Sequence, residues 1–407
     1  MGFHEEGKWW VSPSNYDPEV TSKFNFPPRI EFLDTTLRDG EQQPSVILTK
    51  DEKVAIAKRL SEAGVHRIEA GTPAVLKEDA EAIREICDMG LEAKIYAFVR
   101  NMAEDMKLAQ KCGVDGVIAE MVGSEHLLRH GKNWEIDRAI KSSVEATQIA
   151  HELGLKVTYF PADGSRADLD FLFELLDAVT TEGHVDSLTL VDTFGVLSPE
   201  GAAHRVRKMK ERYPSIPLEI HFHDDFGMGV SATIAALAAG AEVAHVTIGG
   251  IGERAGGAQL EAVAVGLLAM YGVDPGVDVS QFKALATFME KATRVPIHPT
   301  KPIIGDRIFL WETGLPSSLW MNCKDVDPLI MLPYKWTLTG HREPDLLLGK
   351  KSGKDNLKLW VKRSGVDVPE ERMGDLLQLV KNKSYQEKRD LTMDEFKVLA
   401  GQISGAE

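Results

Sequence analysis

A strand-like segment followed by a helix-like segment repeats eight times between residues 29 and 272, and this rhythm limits the fold more than any other feature of the chain. Strict alternation of this kind requires right-handed crossovers and a parallel sheet. An open doubly wound sheet normally begins with a glycine-rich phosphate turn, but DTTLRDGEQ (34–42) follows the first strand here. Eight such units therefore predict an α/β fold, a closed (β/α)8 TIM barrel.

The rhythm also divides the chain into three predicted segments. Residues 1–28 hold four prolines and are expected to form an irregular N-terminal arm that packs on the barrel or on a partner subunit. Residues 29–275 form the predicted barrel, and residues 276–407 are predicted to be a small, mostly helical C-terminal extension of linker and lid subdomains. The extension holds four tryptophans whose apolar surface favours burial against another chain: Trp311, Trp320, Trp336 and Trp360.

Charge and composition exclude several classes of function. The chain carries 47 Lys+Arg against 62 Asp+Glu, a net charge of −15, which argues against nucleic-acid or acidic-membrane partners. No apolar run approaches the roughly 18 residues that span a bilayer, and no hydrophobic signal segment is seen. The three cysteines contain no CxxC pair, so neither a disulfide framework nor a thiolate zinc site is implied. A cytoplasmic location is expected.

Polar side chains gather where the predicted strands end, which in a TIM barrel is the face that carries the active site. The sharpest signal is His221-Phe222-His223, because residues i and i+2 of a strand point to the same face. Two imidazoles there can bind a divalent cation, and Asp39 would complete an open three-ligand site if the first, seventh and eighth strands adjoin. The alternative is a hydrogen-bonded histidine pair that holds no metal.

Arg38 precedes Asp39, so a cation accompanies the candidate metal ligand. A guanidinium in this position can bind a substrate carbonyl oxygen or carboxylate and stabilise enolate charge. A structural ion pair in the barrel mouth is the alternative. A glycine-rich loop at 248–263 leads into a predicted helix and can present backbone N–H groups to an anion, although glycines also simply turn chains.

Taken together, five segments resemble the DRE-TIM metallolyase superfamily and, within it, the Claisen-condensing branch of isopropylmalate, homocitrate and citramalate synthases. The five segments are DTTLRDGEQQP (34–44), IEAGTPA (68–74), VDTFGVLSP (191–199), HFHDDFGMG (221–229) and GGIGERAGGAQLE (249–261). Two later segments, KPIIGDRIFLWETG (301–314) and LLLGKKSGKDNL (346–357), look like the linker subdomains of that branch. By resemblance, a homodimer with crossed-over C-terminal extensions is expected.

The resemblance implies roles for individual residues. Asp39, His221 and His223 would ligate a divalent cation, either Mg, Mn or Zn. Arg38 would polarise the keto oxygen of a 2-oxo acid, to which the family joins the acetyl methyl of acetyl-CoA. Further substrate-binding positions are implied at the ends of other strands: Gln42, Arg100, His126 and Thr193.

The sequence departs from the family pattern where a catalytic base is expected. The linker motif, approximately His-Glu-Ser-Gly-Ile-His, reads WETGLP at 311–316, so Pro316 replaces a histidine. Near the end of the fifth strand, Phe160 replaces a serine and Ala162 a glutamate. We therefore expect metal binding and oxo-acid polarisation to be retained, and the family's route to deprotonating acetyl-CoA to be lost.

Three functions stay open at this point. The first is a Claisen-type condensation of a 2-oxo acid with acetyl-CoA that uses a replaced base. The second is a CoA-independent aldol or retro-Claisen cleavage of a hydroxy or oxo acid, and the third is a metal-binding homologue with little catalysis. For the first, the candidate replacement bases are His298, Glu312, Tyr159, His130 and Asp163.

Overall fold

Eight parallel strands close into a barrel, each paired with the next along the chain and the last paired with the first. They are β1 (Glu31–Asp34), β2 (Arg67–Glu69), β3 (Lys94–Arg100), β4 (Gly116–Val122), β5 (Lys156–Ala162), β6 (Ser187–Asp192), β7 (Leu218–Phe222) and β8 (Val243–Val246). The computed structural model describes residues 1–404. The predicted TIM barrel is confirmed, and at its seam β8 lies between β7 and β1.

Helices follow the strands and cover the outside of the barrel. They are α1 (Lys50–Glu62), α2 (Lys77–Asp88), α3 (Ala103–Cys112), α4 (Ile136–Glu152), α5 (Leu169–Thr181), α6 (Pro199–Arg212), α7 (Gly229–Leu237) and α8 (Leu260–Met270), with α9 (Phe282–Thr293) after the last strand unit. Local chemistry sets their ends. Thr49 and Glu52 form a reciprocal capping box at α1, and Ser198 caps α6 just before Pro199 at its first position.

Strand alternation divides the core into two layers. Side chains of one parity fill the barrel interior, where Leu33, Ile118, Phe160 and Val191 form one apolar cluster. Side chains of the other parity, such as the buried Phe222, point to the helix layer. A residue's position along a strand therefore decides whether it can reach the barrel mouth.

The compact unit around the barrel runs from residue 14 to residue 297, so it extends beyond the predicted barrel segment 29–275 at both ends. Part of the predicted arm belongs to it, because the Tyr16 hydroxyl donates to the Ala269 carbonyl at 3.0 Å and the Asn25 N–H donates to the Ala238 carbonyl at 2.7 Å. Residues 276–297 also belong to it, since α9 packs on α1. The strand–helix alternation ends near residue 275, but the chain continues to pack on the barrel unit up to residue 297.

A second compact unit joins residues 1–13 to the chain from residue 298 onward. Its helices are α10 (Gly314–Cys323), α11 (Lys354–Ser364), α12 (Met373–Glu387) and α13 (Met393–Ser404), and its two-residue strand pairs are His4–Glu5 with Trp9–Trp10 and Leu310–Trp311 with Asp345–Leu346. The expected mostly helical extension is therefore present. No helix within residues 1–404 has the length and apolar character needed to cross a bilayer.

The tryptophans of this second unit pack within it. Trp320 and Trp360 are buried, and the partly buried Trp311 and Trp336 pack against the cluster that contains Trp320. Trp9 joins them from the N-terminus, since its backbone bridges to Tyr334. The expectation that another chain covers this apolar surface is therefore wrong for Trp320 and Trp360, which the unit's own clusters bury.

Candidate metal centre and active site

Asp39, His221 and His223 converge at the open end of the barrel, as the sequence predicted. The His221 and His223 Nε2 atoms lie 3.3 Å apart, and the Asp39 Oδ2 atom lies 3.6 Å from the first and 3.8 Å from the second. All three side chains are buried, and they form the one group of this kind that residues 1–404 contain. Ligand atoms about 2.1 Å from one ion lie about 3.0–3.4 Å apart. The 3.3 Å between the two imidazole nitrogens falls in this range, and the Asp39 carboxylate, at 3.6 and 3.8 Å, would have to move only a few tenths of an ångström to share a divalent cation with them.

A hydrogen bond fixes which nitrogen of His223 faces the site. Its Nδ1 lies 3.0 Å from the carbonyl oxygen of Gly256, which can only accept, so Nδ1 carries the proton and Nε2 offers a lone pair. Gly256 has φ +82°, and a Cβ there would meet the Gly250 carbonyl oxygen at 1.8 Å. The glycine-rich loop at 248–263 thus shapes the metal centre, in addition to any role in binding an anion.

The Asp39 carboxylate provides the test of whether a metal fits. It is 1% exposed, yet neither of its oxygens receives a hydrogen bond from the described residues. Arg38 approaches only to 3.7 Å. A buried carboxylate without hydrogen bonds is costly unless a charge compensates it, and a dication between Asp39 and the two imidazoles would do so. The donor set fits a divalent metal.

The imidazole of His221 is suited to ligation because it stays neutral. Burial, together with the nearby His223 and Arg38, holds the pKa of His221 well below its ordinary value. Beneath it, the His245 Nε2 lies 2.7 Å from the Glu219 carboxylate, which also accepts from Arg67 at 2.8 Å. Burial alone would raise the pKa of Glu219, but His245 and Arg67 lower it to about 2. A charged network thus supports the site from below.

Arg38 presents a fixed guanidinium beside the metal ligands. Its Nε donates to Glu69 at 2.8 Å and its Nη1 donates to Gln42 at 3.0 Å, while Nη2 has no partner among the described residues. Burial opposes its charge, but Glu69 and Asp39 outweigh burial and raise the pKa of Arg38. The orientation of Arg38 is thus set by protein contacts, and one NH₂ group remains for a substrate oxygen.

An aromatic wall lies across from Asp39. The Phe160 ring is 5.7 Å from the Phe98 ring and 5.1 Å from the His221 ring. The Arg38 guanidinium lies over the Phe98 ring at 4.4 Å, where it gains a cation–π contact. Phe160, which stands where the family pattern has a serine, therefore forms an apolar wall together with Phe98.

The far side of the mouth, at the ends of β4 and β5, carries a second polar group. His126 Nε2 lies 2.9 Å from the carboxylate of the fully buried Asp163. The Thr193 hydroxyl accepts from the Asp163 N–H at 2.7 Å, which leaves its own O–H free to donate. The structure therefore brings His126, Thr193 and Asp163 together.

Two predicted site residues are already bonded to side chains of the helix layer. The Tyr159 hydroxyl lies 2.8 Å from Ser143 on α4, in the helix layer, so a role as catalytic base is excluded by strand parity. Burial also raises the pKa of Tyr159. Arg100 is more than half exposed and forms a two-pronged ion pair with Asp105 of α3 at 2.8 and 2.9 Å, so its fork is already occupied.

Three candidate bases remain. His130 is exposed in the helical turn Leu128–Lys132 after β4, and the other two lie in the second unit. Glu312 pairs with Lys351 through the Nζ at 2.8 Å and the backbone N–H at 3.0 Å. The His298 Nδ1 lies 2.9 Å from the Thr300 hydroxyl. Their catalytic roles stay predictions.

Glu120 is a site residue that sequence reasoning missed. It shares the inward parity of β4 with Ile118 and is paired in register with Phe160 of β5. Its charge helps to raise the pKa of Arg38. The same alternation rule that identified His221 and His223 could have found it, because it is the one acidic residue within the β4 range.

Comparison with known proteins adds a family match. A protein-family model described as HMGL-like matches residues 29–289. The matched stretch contains the whole barrel, including Arg38 and the three candidate metal ligands.

Relatives with assigned names match along most of the chain. The homocitrate synthase of Methanothermobacter thermautotrophicus is 34% identical over 381 residues, which cover 94% of this chain and 95% of the relative. A putative (R)-citramalate synthase of Archaeoglobus fulgidus is 38% identical over 363 residues, covering 89% of this chain and 73% of the relative. Other matched relatives are named 2-isopropylmalate synthases.

A solved structure supports the fold alone. The HMG-CoA lyase of Bacillus subtilis superposes with a TM-score of 0.61 over 67% of this chain and 96% of that chain, at 21% sequence identity. This likeness corresponds to the barrel and carries no argument about substrate.

Proposed function

Because the chain belongs to the HMGL-like family, we propose that it is a divalent-metal-dependent enzyme that condenses acetyl-CoA with a 2-oxo acid. The product would be a 2-hydroxy acid with a second carboxylate, and CoA would be released. The observation that carries the proposal is the buried Asp39, His221 and His223 triad next to the oriented Arg38.

The relatives support this choice of reaction. The predicted resemblance to the Claisen-condensing branch is confirmed by relatives named homocitrate, citramalate and isopropylmalate synthases. The named lyase shares only the fold at low identity, so it does not favour the cleavage alternative.

The chain's own residues would position the oxo acid. A divalent cation held by Asp39, His221 and His223 would supply Lewis-acid polarisation of the substrate when bound. Arg38 would donate its unpartnered Nη2 hydrogens to the keto oxygen as negative charge develops there. Gln42 would hold Arg38 in that orientation, and the Thr193 hydroxyl would donate to the substrate carboxylate.

The aromatic wall favours an oxo acid with an apolar side chain. A second carboxylate against the Phe98 and Phe160 rings would lose its hydration without gaining a hydrogen bond there. Pyruvate or a branched 2-oxo acid should therefore be a better substrate than 2-oxoglutarate.

Location and assembly belong to the same proposal. Relatives of this kind and the acidic surface favour a cytoplasmic enzyme, and the family resemblance favours a homodimer. Light scattering coupled to gel filtration gives the mass in solution directly. A mass of one chain across micromolar concentrations would contradict the dimer.

A thiol-release assay tests the reaction. The protein is treated with EDTA, reloaded with Mg²⁺, Mn²⁺ or Zn²⁺, and mixed with acetyl-CoA and one of pyruvate, 2-oxoisovalerate or 2-oxoglutarate. Free thiol should appear only when metal, acetyl-CoA and an oxo acid are all present. Omitting the oxo acid controls for simple thioester hydrolysis.

Two other outcomes would contradict the proposal. Release of an oxo acid from a branched hydroxy acid, with no thiol release in any mixture, would assign the chain to cleavage. Tight metal binding with no turnover of any substrate in the panel would assign it a non-catalytic role.

A further inference from the structure

A condensation of this type needs a group that removes a proton from the methyl group of the acetyl thioester. Most titratable side chains at the barrel mouth already take part in a hydrogen bond or an ion pair with the protein. Glu69 accepts from Arg38, and the Asp192 carboxylate accepts from the Ser165 hydroxyl at 2.6 Å and the Leu197 N–H at 2.8 Å. Asp225 forms an ion pair with Arg254 at 2.9 Å. A proton acceptor must come from what remains.

The His126 imidazole remains, and its geometry is that of a base held by a carboxylate. Its Nε2 faces the Asp163 carboxylate at 2.9 Å, so Nε2 carries the proton and Nδ1 offers the lone pair. No described residue hydrogen-bonds Nδ1, and 49% of the side chain is exposed. A substrate in the mouth can therefore reach this nitrogen.

The Asp163 carboxylate is itself held in place, so it can orient the His126 imidazole. It is fully buried, and it receives hydrogen bonds from the Ser124 hydroxyl at 2.5 Å and from Arg166 at 2.6 and 2.8 Å. Its φ of +64° turns the chain directly after β5, which directs the carboxylate across to the loop after β4. Together with the contact from His126, four contacts on one buried carboxylate fix its position.

We propose that His126 is the general base of the condensation and that Asp163 is its positioning residue, an inference that rests on the proposed function. The Nδ1 lone pair takes a proton from the acetyl methyl group, and the C–H electron pair moves into the enolate of the thioester. The enolate carbon then bonds to the keto carbon of the oxo acid, whose oxygen takes up a proton. Water hydrolyses the thioester, giving a carboxylate and the CoA thiol.

Glu120 is the competing acceptor at the mouth. It faces inward on β4, but no hydrogen bond within residues 1–404 fixes its carboxylate. It also lies close enough to Arg38 for its charge to stabilise that guanidinium. Charge stabilisation of Arg38 therefore explains Glu120 without a role in proton transfer. The His126–Asp163 pair is favoured because the nitrogen that would act is oriented before substrate arrives.

Proton removal can be measured apart from the whole reaction. In D₂O, the Mg²⁺-loaded enzyme is given acetyl-CoA and oxamate, an oxo-acid analogue that cannot accept the carbon, and deuterium in the acetyl methyl group is followed by mass spectrometry. The variants are His126→Ala, Glu120→Gln and, as a matched control on the outer face of α6, His204→Ala. Methyl exchange should fall at least about 100-fold in His126→Ala alone.

Two further measurements separate a base from a binding residue. Added imidazole should restore exchange to His126→Ala in proportion to its concentration. Asp163→Asn keeps a residue type that tolerates φ +64°, so it should fold. It should slow exchange, and adding it to His126→Ala should cost nothing further, because a positioning residue acts only through the ring it holds.

The results distinguish the proposed reaction from the assignment of its base. Wild-type enzyme that shows no thiol release with any oxo acid overturns the proposed function and this inference with it. Thiol release by the wild type, with full methyl exchange in His126→Ala or with exchange lost only in Glu120→Gln, overturns the base assignment alone. Loss in His126→Ala that imidazole restores supports it.

Discussion

The two sides of the barrel mouth differ in how completely the protein itself satisfies their polar groups. On the side formed by β7, β8 and β1, the Asp39 carboxylate is buried with no hydrogen bond, and the His221 and His223 nitrogens face it. On the side formed by β4 and β5, the equally buried Asp163 carboxylate has hydrogen bonds on both oxygens. The first side is incomplete without a cation, and the second is complete as it stands.

This difference indicates what each side can do. A buried carboxylate that receives no hydrogen bond and faces two imidazole nitrogens is suited to binding a cation. A compensated carboxylate that holds an imidazole is suited to moving a proton. Substitutions on each side test this division between metal binding and proton transfer.

The largest effect is expected at Asp39. Asp39→Asn should lower divalent-metal affinity at least about 100-fold, because it removes the anionic ligand. In the metal-free protein the same change should raise the free energy of unfolding by about 1–3 kcal/mol, because it removes a buried charge without hydrogen bonds. Isothermal titration calorimetry and chemical denaturation measure the two effects.

Asp170→Asn, on the exposed first turn of α5, is the matched control and should change neither quantity. If Asp39→Asn bound metal as tightly as wild type, Asp39 would not be a metal ligand, and a cation would not explain why its carboxylate has no hydrogen bond.

The next effect is expected at Arg38, which faces the metal side. Arg38→Lys keeps the charge but loses the fork that engages Glu69, Gln42 and a substrate oxygen together. We expect kcat to fall about 100-fold to 1,000-fold with nearly unchanged metal affinity. Steady-state kinetics measure this, with Arg212→Lys on the outer surface as control. A change confined to KM would show that Arg38 binds the ground state only.

A smaller effect concerns the aromatic wall between the two sides. Phe160→Ala should enlarge the space beside His221, so that kcat/KM for a branched 2-oxo acid rises about tenfold relative to pyruvate. The cavity should lower the free energy of unfolding by about 3–5 kcal/mol. Competition between the two oxo acids measures the ratio of their kcat/KM values, and chemical denaturation measures the free energy of unfolding. An unchanged ratio would remove Phe160 from substrate selection.

The smallest effect on turnover is expected behind the metal side, at Asp34. Burial, partly offset by the Thr36 N–H, raises the pKa of Asp34 to about 7. The folded protein therefore binds more protons than the unfolded chain, and stability falls as pH rises from about 4 to about 7. Asp34→Asn should remove up to about 4 kcal/mol of this loss without changing kcat. The free energy of unfolding of wild type and Asp34→Asn is measured at about pH 4 and about pH 8. An equal change between the two pH values in both proteins would contradict this account of Asp34.

Strand parity explains most of what the sequence could predict. The alternation rule placed His221 and His223 on the same face at the end of β7, and the structure has their Nε2 atoms 3.3 Å apart. Applied to β5, the same rule would have excluded Tyr159 once Phe160 was assigned to the pocket wall, because neighbours on a strand face opposite sides. Tyr159 was predicted as a base because a phenol can accept a proton once it is ionised, without regard to the face of the strand on which it lies.

The remaining features depend on long-range packing that no local pattern records. The two-pronged pairing of Arg100 with Asp105 occupies a predicted substrate ligand, and Asp163 binds His126 only because the loops after β4 and β5 meet. Spacing predicts which residues reach the mouth, but it cannot predict which of them the protein has already paired.

The most direct measurement is anomalous X-ray diffraction from crystals grown with Mn²⁺ and pyruvate. We expect one anomalous peak per chain within about 2.3 Å of the Asp39 carboxylate and of both the His221 and His223 Nε2 atoms. A peak elsewhere in the barrel, or a fully loaded crystal with no peak between these three side chains, would contradict the account.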